Sequence, residues 1–171
     1  MKVVYVYDAL CGWCYGFSPV MSEFHEKYQD SLDFEVISGG MITGNRIGPI
    51  GEVAAYIGKA YKDVENATGV KFGESFLNET LAEGDAIFTS IPPSIALSVF
   101  KSTHADQAVA FAGALQKAIY YDGIEPENLE AYGDIASRFG LDAEEFVGKM
   151  KDPTYRQAAE EDFRKSAALG V

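Results

Sequence analysis

The chain has 171 residues, 47% of them hydrophobic, which is enough for a packed core and too many for a disordered chain. Its 26 acidic residues against 14 basic ones leave a formal net charge of −12, which sets phosphate backbones aside, so no nucleic-acid partner is expected. No run is long and apolar enough to span a bilayer, and no basic segment, apolar h-region and cleavage site precede residue 11, so the sequence predicts a cytoplasmic protein with no membrane partner.

In chain order, Val3 to Tyr7 is a β-branched and aromatic run that predicts a first strand. Asp8-Ala9-Leu10 is a short approach to Cys11-Gly12-Trp13-Cys14, which holds both cysteines of the chain. A helix is expected from about Cys11 toward Tyr28, kinked at Pro19, with Phe17, Val20, Met21, Phe24 and Tyr28 as its apolar face. Leu32 to Val36 alternates and predicts a second strand, closed by Gly39-Gly40. Strand, helix and strand at this spacing imply a βαβ unit with parallel pairing.

Met41 to Gly51 is glycine-rich but carries neither a dinucleotide fingerprint nor a P-loop, so it is expected to be a flexible loop near the active site. Beyond it the pattern is helical. Helices are expected over Glu52–Asp63, over Ser75–Ala82, from Pro92-Pro93 through Phe100, and around Ala108 to Ile119. Further ones run from Pro126 to Gly140, from Asp142 with Glu145 as a capping box, and from Asp152-Pro153 to about Ala168. Two strands are few for a stable sheet.

The placement of the two thiols carries the chemistry. Cys11 falls where a strand hands over to a helix, and the unpaired N–H groups of a helix N-terminus favour the reactive thiolate. Cys14 lies one turn deeper on the same face, within reach to close a disulfide with Cys11. Thiol–disulfide exchange is therefore the leading use of the pair, against metal ligation or two structural thiols. A structural zinc site takes four protein ligands, and the remaining imidazoles, His25 and His104, have no supporting spacing, so no metal is expected. Gly12-Trp13 brings no cation, which predicts a Cys11 pKa near ~7 rather than the ~3.5 of the strongest oxidants. Trp13 reads equally as an aromatic lid and as a hydrophobic rim for peptide substrates. Asp8 reads as a turn residue or as a carboxylate close enough to tune a thiol.

The stretch from Tyr7 to Phe17, with Gly39-Gly40-Met41 after the second strand, resembles the start of DsbA-like thioredoxin-fold proteins. It is most similar to the cytoplasmic group described as predicted protein-disulfide isomerases, related to the FrnE type. The resemblance implies an α/β thioredoxin-like fold with an inserted all-helical domain. Residues 1–45 would form the thioredoxin-like βαβ part, 46–150 the inserted domain, and 151–171 a helix returning to the first part. It implies Cys11 as the attacking and Cys14 as the resolving cysteine, and Asp8 matches an acidic position common before the motif; Gly12, Trp13 and Asp8 are the candidate substrate-binding or tuning residues on the reading above. The family pattern continues with a cis-proline loop, a β-hairpin and a final helix, so the chain is expected to stop before its C-terminal strands.

The function so implied is thiol–disulfide oxidoreductase or isomerase on protein or peptide thiols. It needs no organic cofactor, with glutathione as a candidate redox partner. An exposed sheet edge would favour a homodimer. Two rivals share the fold: a glutathione-dependent kappa-type transferase or isomerase, and a redox-sensitive protease adaptor without catalysis of its own.

Overall fold

The computed structural model describes residues 1–171. Strand β1 (Lys2–Tyr7) leads through Asp8-Ala9-Leu10 into helix α1 (Gly12–Tyr28), and β2 (Asp33–Ser38) returns beside β1. The two strands pair in parallel, in register from Lys2 opposite Asp33 to Tyr7 opposite Ser38, as the βαβ spacing predicts. This sheet has two strands. It is covered by helices rather than widened: α5 (Ala108–Tyr120) and α8 (Pro153–Ala168) both pack on β2.

Helix α1 runs unbroken through Pro19. Proline removes the N–H that would bond the Tyr15 carbonyl, and the Ser18 hydroxyl donates to that carbonyl instead at 2.8 Å. The expected apolar face is a correction. Met21 is buried, but Phe17, Val20 and Phe24 are 47%, 57% and 37% exposed. Helix α1 instead packs through Tyr15 and Gly16. A Cβ on Gly16 would lie 2.7 Å from the Val64 side chain and 2.9 Å from that of Thr68, so glycine lets α1 approach α2 (Ala54–Thr68) closely. Periodicity showed an amphipathic helix; it did not show which side its neighbours would take.

The glycine-rich loop carries local secondary structure. It contains short 3₁₀ turns and a two-residue strand β3 (Gly48–Pro49), which pairs antiparallel with β4 (Ile87–Phe88). Helix α2 is displaced toward the C-terminus from its expected span and ends at Gly69, whose φ of 78° suits glycine alone. The segment expected to be helical over residues 75–82 begins as a π-helical turn, Phe76–Thr80, continued by α3 (Leu81–Glu83). Helix α4 (Ile91–His104) carries Pro92 and Pro93 in its first turn. Helix α6 (Leu129–Ser137) starts later than Pro126, because Asn128 caps it by accepting the Ala131 N–H. Asp142 and Asp152 cap α7 (Ala143–Met150) and α8 as the sequence predicts.

One continuous core joins the βαβ part to the helices. It runs from Tyr7, Leu10 and Val36 through Phe100, Phe111 and Leu115 to Phe146 and Ala159. Its aromatic centre stacks Phe100 on Phe111 at 4.0 Å between centroids.

A polar tie fastens α8 and α4 to β2. Lys101 donates to Asp162 Oδ2 at 2.6 Å and to the Val36 carbonyl at 2.8 Å, and the same carboxylate oxygen accepts the Ser38 N–H at 3.3 Å. Removing Asp162 leaves the mostly buried Lys101 ammonium with the Val36 carbonyl but no counter-charge. Asp162→Ala should therefore lower the unfolding free energy by about 3 kcal/mol, measured by urea denaturation; a loss below about 0.5 kcal/mol would show the pair to be dispensable.

Candidate active site

Cys11 is the N-cap of α1, with extended backbone dihedrals, and its Sγ accepts the Cys14 N–H at 3.2 Å. A sulfur takes the place usually held by a serine or aspartate oxygen. The thiol sits where the helix N–H groups converge. Both cysteines are half-buried free thiols.

Their electrostatics differ sharply. Cys11 is pulled down to about 7, first by a hydrogen bond from the Cys14 thiol and then, against the cost of burial, by the N–H groups of Cys14 and Trp13. Cys14 is pushed well above the ordinary thiol range by that same hydrogen bond, by burial and by the Cys11 charge. One thiol is thus prepared to ionise while its neighbour stays protonated.

Asp8 is buried beneath the pair and fully engaged. Its Oδ1 accepts the Leu10 N–H and the Ser90 hydroxyl, both at 2.9 Å, and its Oδ2 accepts the Met41 N–H at 2.8 Å. Its carbonyl accepts the Cys11 N–H and the Gln116 side-chain amide, both at 3.1 Å. Burial pushes its pKa up while these donors pull it down, and its charge raises both thiols slightly. Tyr120, fully buried on α5, donates its hydroxyl to the Leu10 carbonyl. Ser90, Gln116 and Tyr120 hold the approach to Cys11 from 82, 108 and 110 residues away along the chain. Nothing in their local sequence marks them.

Gly12 and Trp13 open α1. Gly12 is not sterically required: a Cβ there would meet its nearest neighbour, the Phe72 ring, at 3.7 Å, an ordinary contact. Trp13 is 53% exposed and stands at the mouth of an apolar cavity of about 280 Å³ between the start of α1 and helix α2. Cys11 lines this cavity, with Val53, Tyr56, Ile57 and Ala60 opposite. Those four recur at helical spacing, a signal available in the sequence that reads equally well as an ordinary core stripe. On the other side of the thiols lies a second cleft of about 280 Å³, bordered by Gly40, Met41 and Arg46. Arg46 donates weakly to the Gly40 carbonyl at 3.4 Å and makes no ion pair. The buried hydroxyls of Tyr7 and Ser166, both bordering this cleft, have no hydrogen-bond partner.

His25 and His104 lie apart from the thiols, His25 edge-on to Phe34 and His104 at the end of α4. No three His, Cys, Asp or Glu side chains converge as a metal-ligand group.

Two outcomes follow. Alkylation of the reduced protein, with the modified residue assigned by mass spectrometry, should label Cys11 first, with its rate half-maximal near pH 7. The rate should fall below that pH as the thiolate is protonated, while Cys14 lags throughout; equal labelling of both thiols would contradict the split. Gly12→His should move the Cys11 midpoint below about 7, because a Cβ is accommodated at residue 12 and an imidazolium next to the thiolate opposes its protonation. An unchanged midpoint would mean that the added ring points away.

No family model matches the chain, and no curated protein matches it. Solved structures do. The cytosolic disulfide reductase DsbM from Pseudomonas aeruginosa superposes with a TM-score of 0.84 at 26% identity, over 99% of this chain and 78% of that one. The same reductase with GSH gives the same TM-score and identity. A proposed protein disulfide isomerase from Nitrosomonas europaea superposes at 0.83 with 23% identity, over 99% of this chain and 79% of that one. No helix is long and apolar enough to cross a membrane. With this likeness held over nearly its whole length, and with two cysteines where β1 hands over to α1, the chain shares the fold of the DsbA-like thioredoxin-fold proteins.

Proposed function

We propose that this protein is a thiol–disulfide oxidoreductase acting on protein or peptide thiols, with Cys11 attacking and Cys14 resolving. The observation that carries this reading is the placement of the thiols: Cys11 Sγ caps α1 and accepts the Cys14 N–H at 3.2 Å, with Cys14 one turn deeper. The hydrogen bond from the Cys14 thiol and the N–H groups of the helix start draw the Cys11 thiol down, while that same hydrogen bond and burial push Cys14 up. A nucleophile ionised at neutral pH beside a protonated reserve thiol suits two-step exchange. The Cys11 thiolate attacks a substrate disulfide sulfur, forms a mixed disulfide and expels the first substrate thiolate. Once Cys11 has lost its charge, two of the three causes that held the Cys14 proton weaken, the hydrogen bond to Cys11 and the Cys11 charge, while burial remains. Cys14 then deprotonates, attacks Cys11 Sγ and releases the second substrate thiolate. Two electrons pass from the cysteine pair to the substrate; one substrate thiolate takes up the proton lost by Cys14 and the other takes one from solvent.

The absence of a cation between the cysteines favours a reducing or isomerising direction over strong oxidation. Likeness to a cytosolic disulfide reductase supports that direction and a cytoplasmic setting. Glutathione is the proposed small-molecule partner. Unpaired Arg46 beside the second cleft offers a cation to its carboxylates, and the Pseudomonas aeruginosa reductase has been solved with GSH. The exposed side chains of Phe17, Val20 and Phe24 beside a two-stranded sheet support self-association into a homodimer.

Equilibration in glutathione buffers should reveal a reversible two-electron couple between roughly −270 and −120 mV. Cys14→Ser should accumulate a mixed disulfide on Cys11, and Cys11→Ser should abolish exchange. Exchange that survives Cys11→Ser would overturn the proposal.

A further inference from the structure

The sulfur of Cys11 lies at the border of two unlike spaces. One holds Asp8 and Arg46. The other, between α1 and α2, is lined by no charged residue, although the chain carries 40 Asp, Glu, Lys and Arg side chains. Its floor is fixed by packed rings: Phe72 lies 5.1 Å from Tyr120 and 5.7 Å from Tyr61, centroid to centroid. Its mouth is left open by Trp13 and by Tyr56, which is 71% exposed. Large aromatic side chains held in water around a concave apolar space are the usual make-up of a recognition site. At about 280 Å³ the space falls just below the ~300–1,000 Å³ typical of drug-sized ligands, so it admits a side chain rather than a folded surface.

We infer that this cavity is a specificity site, which seats a bulky apolar side chain next to the cysteine of a peptide disulfide. The inference rests on the exchange chemistry proposed above and names the substrate class within it. Because Cys11 itself lines the cavity, the residue adjoining the attacked cysteine is the one that enters. An aromatic or branched aliphatic residue gains burial there. Glutathione gains nothing, because its carboxylates and ammonium group would lose water with no partner in return. The protein therefore prefers Cys-Phe or Cys-Leu disulfides over Cys-Gly disulfides and over glutathione disulfide. In each case the Cys11 thiolate forms one S–S bond as the peptide S–S bond breaks. The peptide pair leaves as two thiols and the Cys11–Cys14 disulfide remains.

Stopped-flow oxidation of the reduced protein tests this, followed by the fluorescence of Trp13, the one tryptophan of the chain. The probes are the symmetrical disulfides of acetyl-Gly-Cys-Phe-amide and acetyl-Gly-Cys-Gly-amide, together with glutathione disulfide. Rates are normalised to those of dithiothreitol with the same disulfides. The Phe peptide should react about tenfold faster than the Gly peptide. That ratio should fall toward one in Ala60→Phe, which fills the cavity, and in Val53→Glu, which charges its wall; the second variant keeps the test open should the first not fold. A normalised ratio within about twofold of one in the unmodified protein, or a tenfold ratio that persists in a folded variant, would overturn the specificity site while leaving exchange intact. Oxidation by none of the three disulfides would overturn the exchange reading and this inference together.

Discussion

The carboxylate of Asp8 is the interaction on which the rest of the site depends. It is nearly inaccessible, yet it accepts from Leu10, Met41 and Ser90, while its own carbonyl accepts from Cys11 and Gln116. A buried charge is tolerable only when its lone pairs are satisfied, and here the carboxylate's donors come from three parts of the chain. The end of β1, the loop after β2 and the start of α4 cannot separate without leaving that charge unpaired, and Gln116 from the middle of α5 ties down the carbonyl of the same residue. The position of Cys11, three residues on, is fixed as a consequence. The helices between residues 46 and 150 thus contribute directly to where the thiol sits.

That fixed geometry explains how a thiolate is favoured without a neighbouring cation. The charge on Cys11 is met by short-range donors, the Cys14 thiol and the N–H groups of the first helical turn. Burial and the charge of Asp8 act in the opposite direction. The balance is moderate because the opposing contributions are comparable, and residue 12, with room for a side chain, is where it is most easily shifted.

The two faces of the thiol pair are chemically distinct for a structural reason. The loop after β2 brings polar backbone and Arg46 to one side. Helix α2, drawn close to α1 by Gly16, brings an uncharged wall to the other. In the proposed exchange, Cys11 between them presents a substrate with a polar side and an apolar side at once.

Much of this was legible along the chain, because it depends on local rules. The strand–helix–strand unit, the caps at Asp142 and Asp152, the proline start of α8 and the thiols at a helix N-terminus follow from spacing and residue type within a few positions. Asp8, Gly12 and Trp13 could be named as neighbours of the pair for the same reason. The packing face of α1 was not legible, since an aromatic stripe and a stripe containing Gly16 are both consistent with one helix, and only the approach of α2 selects between them. Ser90, Gln116 and Tyr120 were likewise silent, because each acts on Asp8 or Leu10 across more than 80 residues and a hydrogen bond has no sequence period. The amino-acid sequence by itself determined that two thiols stand at the start of the first helix and which segments are helical. Tertiary structure alone decided what surrounds the reactive sulfur, because burial, cavity shape and the partners of a buried charge are set by distant segments meeting in space.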